Sequence, residues 1–266
     1  MTITLSQLNI YPVKSCGRIS VTRWSLESRG LQHDRCWMLV DDEGVFVTQR
    51  EYPRLTLVEV QIKAGCLQIG APGMDQLRVP FEQHSHNYFP VVIWDDGVEA
   101  LDAGTEPNEW FSEFLGASIR LAVMSDRSVR TVDKKFAVNA DVMSFADAFP
   151  LLLISEGSLH DLNSRLTSPI TMNRFRPNLV VSGCEPYAED RWKEIKIGTI
   201  SLRVLKPCAR CAITTVDPDT GEKGIDPLRT LATYRALGNK VLFGQNVIHT
   251  CQGELRVGDI VNVLSS

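Results

Sequence analysis

Cys36-Trp37-Met38-Leu39-Val40-Asp41-Asp42-Glu43-Gly44-Val45-Phe46-Val47-Thr48-Gln49 reads as two strand-like runs around a turn. Residues 36–40 and 45–49 are rich in apolar, aromatic and β-branched side chains. Asp41-Asp42-Glu43-Gly44 between them supplies the Asp and Gly that a hairpin turn favours. The pattern recurs twice nearby. Leu57 to Ile62 and Cys66 to Ile69 flank Lys63-Ala64-Gly65, and Val91 to Trp94 and Val98 to Leu101 flank Asp95-Asp96-Gly97. Ile3 to Tyr11 and Ile19 to Leu26 add further β-branched runs. The first hundred residues are therefore expected to be mostly β.

Helices are expected only later. Residues 107–115 begin with a proline, carry Trp110, Phe111 and Phe114 at helical spacing, and stop before Gly116. Ser155 is placed to cap a helix running through Leu166, after the buried-strand run Pro150 to Ile154. Asp226-Pro227 opens a third, expected to reach Leu237 and end at Gly238. Asn178 to Ser182, Glu194 to Val204 and Val241 to Ile248 read as strands, and Leu255 to Leu264 as a final pair turning at Gly258-Asp259. Strands outnumber helices and do not alternate regularly with them, which excludes a doubly wound sheet. The expected class is mainly β with peripheral helices (α+β), barrel-like. Any domain boundary falls around residues 102–140, where Ser125 to Lys135 reads as a polar surface loop.

With 266 residues, the chain has ample core for one large domain or two modest ones. A net charge of -4 argues against a broad nucleic-acid-binding face. No run approaches the roughly 20 apolar residues that span a bilayer, and no secretion signal is visible at the N-terminus. Seven irregularly spaced cysteines do not suggest a disulfide framework. A reducing, cytoplasmic setting is expected.

Residues 207–221, Pro-Cys-Ala-Arg-Cys-Ala-Ile-Thr-Thr-Val-Asp-Pro-Asp-Thr-Gly, concentrate the chemistry. Cys208 and Cys211 stand three residues apart with Arg210 between them. A thiolate is a soft anionic ligand, and a neighbouring guanidinium lowers the cost of keeping it ionised. Structural zinc would need about four ligands, and no partner motif supplies the others. A thioredoxin-type site would need the pair at a helix N-terminus, whereas Ala212 to Val216 reads as a strand. On pattern alone, a metal ligand, a redox thiol and a pair of small buried hydrophobes all remain open.

Further motifs occur in order along the chain: Tyr11-Pro12-Val13-Lys14-Ser15-Cys16, Gly30-Leu31-Gln32-His33-Asp34-Arg35, Val47-Thr48-Gln49-Arg50, Asn173-Arg174-Phe175-Arg176-Pro177-Asn178, Tyr187-Ala188-Glu189-Asp190-Arg191-Trp192, the cysteine run, Phe243-Gly244-Gln245-Asn246 and Val257-Gly258-Asp259. As a set they resemble the MOSC-domain molybdenum enzymes, close to bacterial YcbX proteins and the mitochondrial amidoxime-reducing component. The resemblance covers nearly the whole chain. It implies an N-terminal β-rich domain (MOSC-N-like) over 1–120 and a MOSC β-barrel domain over 121–266.

It also implies molybdenum cofactor, an anionic pterin dithiolene with a terminal phosphate. The matching metal ligand is Cys211, with Cys208 a neighbour. Lys14, Ser15, Arg35 and Arg176 match the residues that hold the phosphate end, where Arg forks, Lys charges and hydroxyls suit an anion. Asp147 falls where relatives carry an acid near the metal and is a candidate proton relay; turn capping is its plainer role. Ala148 and Phe149 stand where mitochondrial members have hydroxyl residues. Asn178 and Gln245 are secondary candidates for the pterin, and both equally suit buried backbone groups.

The implied activity is reduction of N-hydroxylated compounds (hydroxylamines, amidoximes, N-hydroxylated purines) to the amine or amidine and water. YcbX proteins usually continue into a ferredoxin-like iron–sulfur domain. This sequence stops at Ser266 and has no C-x4-C-x2-C spacing, either as a form lacking that module or as a shortened piece. Electrons are thus expected from an external flavin or iron–sulfur donor. Two rivals stand beside this reading: a cofactor carrier or sulfur-transfer module, and a metal-free thiol–disulfide enzyme using Cys208 and Cys211.

Overall fold

Phe89, Val91 and Ile93 alternate with exposed neighbours along Tyr88–Ile93, and Val98 and Ala100 do so along Asp96–Asp102. This period of two puts all five on one buried face of an antiparallel pair. In the computed structural model, which describes residues 2–82, 86–137 and 141–266, Ile93 pairs with Asp96. The turn is therefore Trp94-Asp95 and not the expected Asp95-Asp96-Gly97. A one-residue slip would have sent the apolar set to the wrong face. Trp94 leaves the strand as a result, at a φ of 54°.

This hairpin continues through Arg120–Val123 to Trp37–Val40, giving a four-stranded sheet. The Asp41–Gly44 turn forms as expected: Asp41 Oδ1 accepts from the Glu43 and Val45 amides at 3.0 and 2.8 Å. Gly44 has a φ of 79°, and a Cβ there would lie 2.7 Å from the Pro90 carbonyl oxygen. Val45 to Gln49, however, is not a strand; it makes only isolated bridges at Val45 and Phe46. Glu59–Lys63, Cys66–Gly70 and Leu77–Pro80 form a separate three-stranded sheet. The helix Thr105–Leu115 buries Trp110, Phe111 and Phe114 and ends at left-handed Gly116, whose amide donates to Ser112 O at 2.8 Å.

A nine-stranded sheet carries the other half of the core. Its order is Val261–Ser265, Glu194–Ile197, Ile200–Arg210, Lys240–His249, Leu151–Ser155, Leu179–Ser182, Thr4–Ile10, Ile19–Val21, with Ala236–Leu237 beside Lys240–His249. Leu151–Ser155 and Leu179–Ser182 run parallel, which requires a crossover. The helix Glu156–Ser164 lies in that crossover, capped by Ser155 Oγ accepting from the Ser158 amide at 3.0 Å. This mainly β architecture with peripheral helices matches the expected class.

Four local expectations are corrected. Ile19 to Leu26 divides at Thr22, because Ile19–Val21 pairs with Thr4–Ile10 whereas Arg23–Glu27 pairs with Gly253–Arg256. The third helix is only Leu228–Ala232, since Ala236–Leu237 folds back on Lys240 and Val241 as a strand. Gly253–Arg256 and Val261–Ser265 join different sheets instead of pairing with each other. Ala212–Thr215 is a 3-10 turn, so the chain bends immediately after Cys211.

Candidate active site

Tyr11 and Pro12 follow the first strand, Thr4–Ile10, and Tyr11 is completely buried. Its amide donates to Asp34 Oδ1 at 2.8 Å, and its carbonyl accepts from the Arg35 amide at 2.8 Å. These bonds bring the first two motifs together. The Lys14 amide donates to Trp37 O at 2.8 Å, and Gln49 Nε2 donates to Ser15 O at 2.6 Å. Ser15, Arg35 and Arg176 have φ angles of 71°, 52° and 55°. Non-glycine residues rarely adopt that left-handed region, and such strain collects at functional sites. All three line one cavity.

Tyr11 organises the two arginines. Their guanidinium carbons lie 5.1 Å (Arg35) and 4.3 Å (Arg176) from its ring centroid, within cation–π range. Arg35 pairs with buried Asp34 and donates to Asn178 Oδ1 at 3.2 Å. Arg176 Nη1 donates to Cys16 O at 2.7 Å. Asn178 is fully buried; its oxygen also accepts from the Leu152 amide at 3.2 Å, and its nitrogen donates to Asn9 O at 3.2 Å. Its hydrogen bonds thus hold Arg35 and the backbone in place.

Lys14 Nζ is buried and donates to Phe145 O at 2.9 Å and Asp147 Oδ1 at 2.6 Å. Burial draws its pKa down to about 8, with the Asp147 carboxylate opposing that fall. Asp147 is 62% exposed at its side chain; its partial desolvation would raise its pKa, but the Lys14 charge and hydrogen bond, aided by Arg35, hold it below the ordinary carboxylate range. Trp94 Nε1 also donates to Asp147 Oδ1, at 3.2 Å. The loop carrying Asp147 is held by Arg130, whose Nη1 donates to Ser144 O and Ala146 O at 2.8 and 2.6 Å. Arg130 is buried, so the stretch read as a polar surface loop contributes a structural anchor.

Cys208 lies within Ile200–Arg210, and Cys211 follows in an extended conformation. At about 3.3 Å per residue, the two Cα atoms stand roughly 10 Å apart, beyond the ~7 Å limit for a disulfide. The thiol–disulfide reading therefore lacks geometric support. Cys208 Sγ instead accepts from Arg210 Nη1 at 3.2 Å, while Cys211 is free and exposed.

The partner strand explains where Gln245 goes. Between Ile200–Arg210 and Lys240–His249 the register shifts twice, at Val204/Lys206 and at Pro207/Ala209. These bulges break the simple alternation. Asn246 lines the cavity, whereas Gln245 does not; Gln245 Nε2 donates to Asp190 Oδ1 at 2.6 Å. Of the eight residues singled out in the sequence, the fold brings Lys14, Ser15, Arg35, Asp147, Arg176, Asn178 and Cys211 to one cavity of about 270 Å³.

The cavity also gains residues to which the sequence reading assigned no role. Thr48, Lys206, Lys240 and Asn246 line it, and Arg210, expected beside the thiols, lines it with them. Lys206 through Cys211 all border the cavity, because the bulge at Pro207/Ala209 breaks strand alternation, and adjacency to the cysteine run was the legible signal. Arg130 had no such signal. The lining holds six cationic side chains (Lys14, Arg35, Arg176, Lys206, Arg210, Lys240) and one carboxylate, Asp147. In a chain of net charge -4 this is a local concentration of positive charge suited to an anion.

Lys14 loses its proton as pH rises through about 8, while Asp147 stays ionised. The cavity thereby loses one positive charge. Sulfate affinity, measured by calorimetry on cofactor-free protein, should weaken by roughly three- to tenfold between pH 7 and 9. Lys14→Met should flatten that dependence; an unchanged slope would show that another group governs it.

The chain matches the MOSC N-terminal beta barrel domain over residues 2–118 and the MOSC domain over residues 140–262. It is 38% identical to mitochondrial amidoxime-reducing component 1 of Mus musculus, over 98% of this chain and 82% of that protein. Identity to component 1 of Homo sapiens is 35%, covering 98% and 83% respectively. Identity to component 2 of Bos taurus is 35%, covering 97% and 82%. The aligned spans run through both parts of the fold and through the cavity between its motifs, and on these matches the chain belongs to the MOSC-domain family, with the amidoxime-reducing components among its relatives.

Proposed function

We propose that this protein is a molybdenum-cofactor-dependent reductase of N-hydroxylated compounds. The observation that carries the reading is the convergence of a free, exposed thiol and a cationic cavity wall in one place. A dithiolene cofactor with a terminal phosphate needs both a soft ligand and anion donors, and this donor set fits it. Arg210 Nε is buried without a hydrogen-bond partner among the described residues, a donor left for a ligand.

In this reading Cys211 is the protein ligand to the metal. Arg35 and Arg176 are the forked donors for the phosphate, and Ser15, Thr48 and Asn246 add polar contacts. When bound, the cofactor would supply the two-electron redox chemistry and an acceptor for the substrate oxygen. Reduction of R–NH–OH to R–NH2 and water consumes two electrons and two protons. The electrons come from an external flavin or iron–sulfur donor. Lys14 Nζ holds a proton with a pKa near the working range, and Asp147 fixes its position, so the deliverable proton sits on Lys14 rather than on the Asp147 carboxyl. A reducing, cytoplasmic compartment suits the seven free cysteines.

The test loads the protein with cofactor, measures molybdenum per chain, and supplies reduced methyl viologen with benzamidoxime. Formation of benzamidine is the expected result. Bound molybdenum without turnover of any N-hydroxylated compound would favour the carrier role and overturn the reductase.

A further inference from the structure

Trp94 is a large aromatic residue in an unfavourable place. Two-residue hairpin turns with positive φ favour Asn, Asp or Gly, and a bulky side chain there is strained. Yet Trp94 occupies the first position of the Trp94-Asp95 turn at φ 54° and remains 47% exposed. Neither burial nor backbone preference accounts for it.

Its surroundings do. The indole Nε1–H donates to Asp147 Oδ1 at 3.2 Å, which places the ring beside the exposed carboxylate that borders the cavity. Phe46 lies 5.1 Å from it between centroids, and the Arg50 guanidinium lies 4.6 Å from the Trp94 centroid and 5.5 Å from that of Phe46. Lys14 Nζ, inside the cavity, is 5.5 Å from the Phe46 ring. Phe46, Trp94 and Arg50 therefore form a lip continuous with Lys14 and Asp147. The turn is clamped as well: Asp96 Oδ2 accepts from Arg130 Nε and Nη2 at 3.0 and 2.8 Å, and the same guanidinium holds the Asp147 loop. The lip and the carboxylate are thus positioned by one buried cation.

We propose that Trp94 is a specificity-determining residue whose exposed ring recognises planar, π-conjugated substrates. The favoured class is aryl amidoximes and N-hydroxylated heteroaromatics over alkyl N-hydroxylated compounds of the same headgroup. A flat conjugated group gains stacking on an aromatic ring beyond its buried area, and an alkyl chain does not. The N–H bond to Asp147 sets the ring's angle, and Arg50 against it limits its rotation.

This proposal rests on the reductase reading, and its test separates the two. The probes are benzamidoxime and acetamidoxime, which share the reacting group. In cofactor-loaded protein, Trp94→Ala should lower the benzamidoxime-to-acetamidoxime ratio of kcat/KM by about tenfold, while Trp94→Phe, which keeps a ring, retains most of it. An unchanged ratio in Trp94→Ala overturns the assignment. Should wild-type protein turn over neither probe, the reductase reading falls, and equilibrium binding of both probes then decides the matter. A tenfold selective loss of benzamidoxime affinity in Trp94→Ala supports the aromatic lip, and equal losses overturn it. The side chain is half exposed, so a melting curve suffices to show that the variant folds.

Discussion

Replacing Cys211 with alanine should remove most of the molybdenum bound per chain and lower the reduction of N-hydroxylated compounds by about 100-fold or more. Loss of a single group behind a metal ligand typically costs 10–100-fold, and loss of the ligand itself should cost at least as much. Cys211 is the free, exposed thiol at this cavity, and no described disulfide competes for it. Cys208→Ala is the contrasting variant: its thiol is occupied by Arg210 Nη1 at 3.2 Å, and it should keep most of the metal. Elemental analysis beside the benzamidoxime assay reads both. Metal equally high in Cys211→Ala and wild type would remove Cys211 as the anchor.

Arg35→Met should destabilise the fold by about 3–5 kcal/mol, the usual cost of leaving one member of a buried ion pair behind. Asp34 is 2% exposed and has Arg35 as its ionic partner, while the Tyr11 amide supplies only a hydrogen bond. The variant should also show a shifted pH dependence. Burial already raises the Asp34 pKa above its ordinary value, Arg35 opposes that rise, and losing Arg35 raises it further, so its ionisation opposes folding more strongly. The lost stability should therefore be largest above that raised pKa and should recover as pH falls through it. The double variant Asp34→Asn/Arg35→Met should regain much of the loss in a denaturant titration. If it is no more stable than the single variant, Arg35 acts through its bonds to Asn178 and the Arg176 backbone instead.

The site was only partly legible before folding. Lys14, Ser15, Arg35 and Arg176 stood out through a family resemblance, because no spacing rule connects residues 14, 35 and 176, whereas the Cys208/Cys211 spacing marked Cys211 by itself and left its role open. Their meeting point depends on left-handed backbone at Ser15, Arg35 and Arg176, which nothing local in a non-glycine residue announces. Gln245 was misplaced for a physical reason: bulges beside it change which neighbour faces the cavity, and Asn246 takes that position. Arg130 was invisible because its role is to bond two carbonyls of a loop 14 and 16 residues away.

Alternation, turn residues and caps, all local physics, determined the hairpin of Glu59–Lys63 with Cys66–Gly70, the Asp41–Gly44 turn, the Ser155 and Gly116 helix boundaries and the mainly β class. Local patterning could not decide whether Trp94 belonged to a strand or a turn, which strands shared a sheet, or which charges met. Those outcomes follow from burying one face of each strand against distant partners. The tertiary structure alone set the hairpin register that frees Trp94, lined one cavity with six cations and one carboxylate, and shifted the Lys14 proton toward neutral pH by enclosing it. Burial and long-range pairing act between residues far apart in the chain, so they exist only once the whole chain has folded.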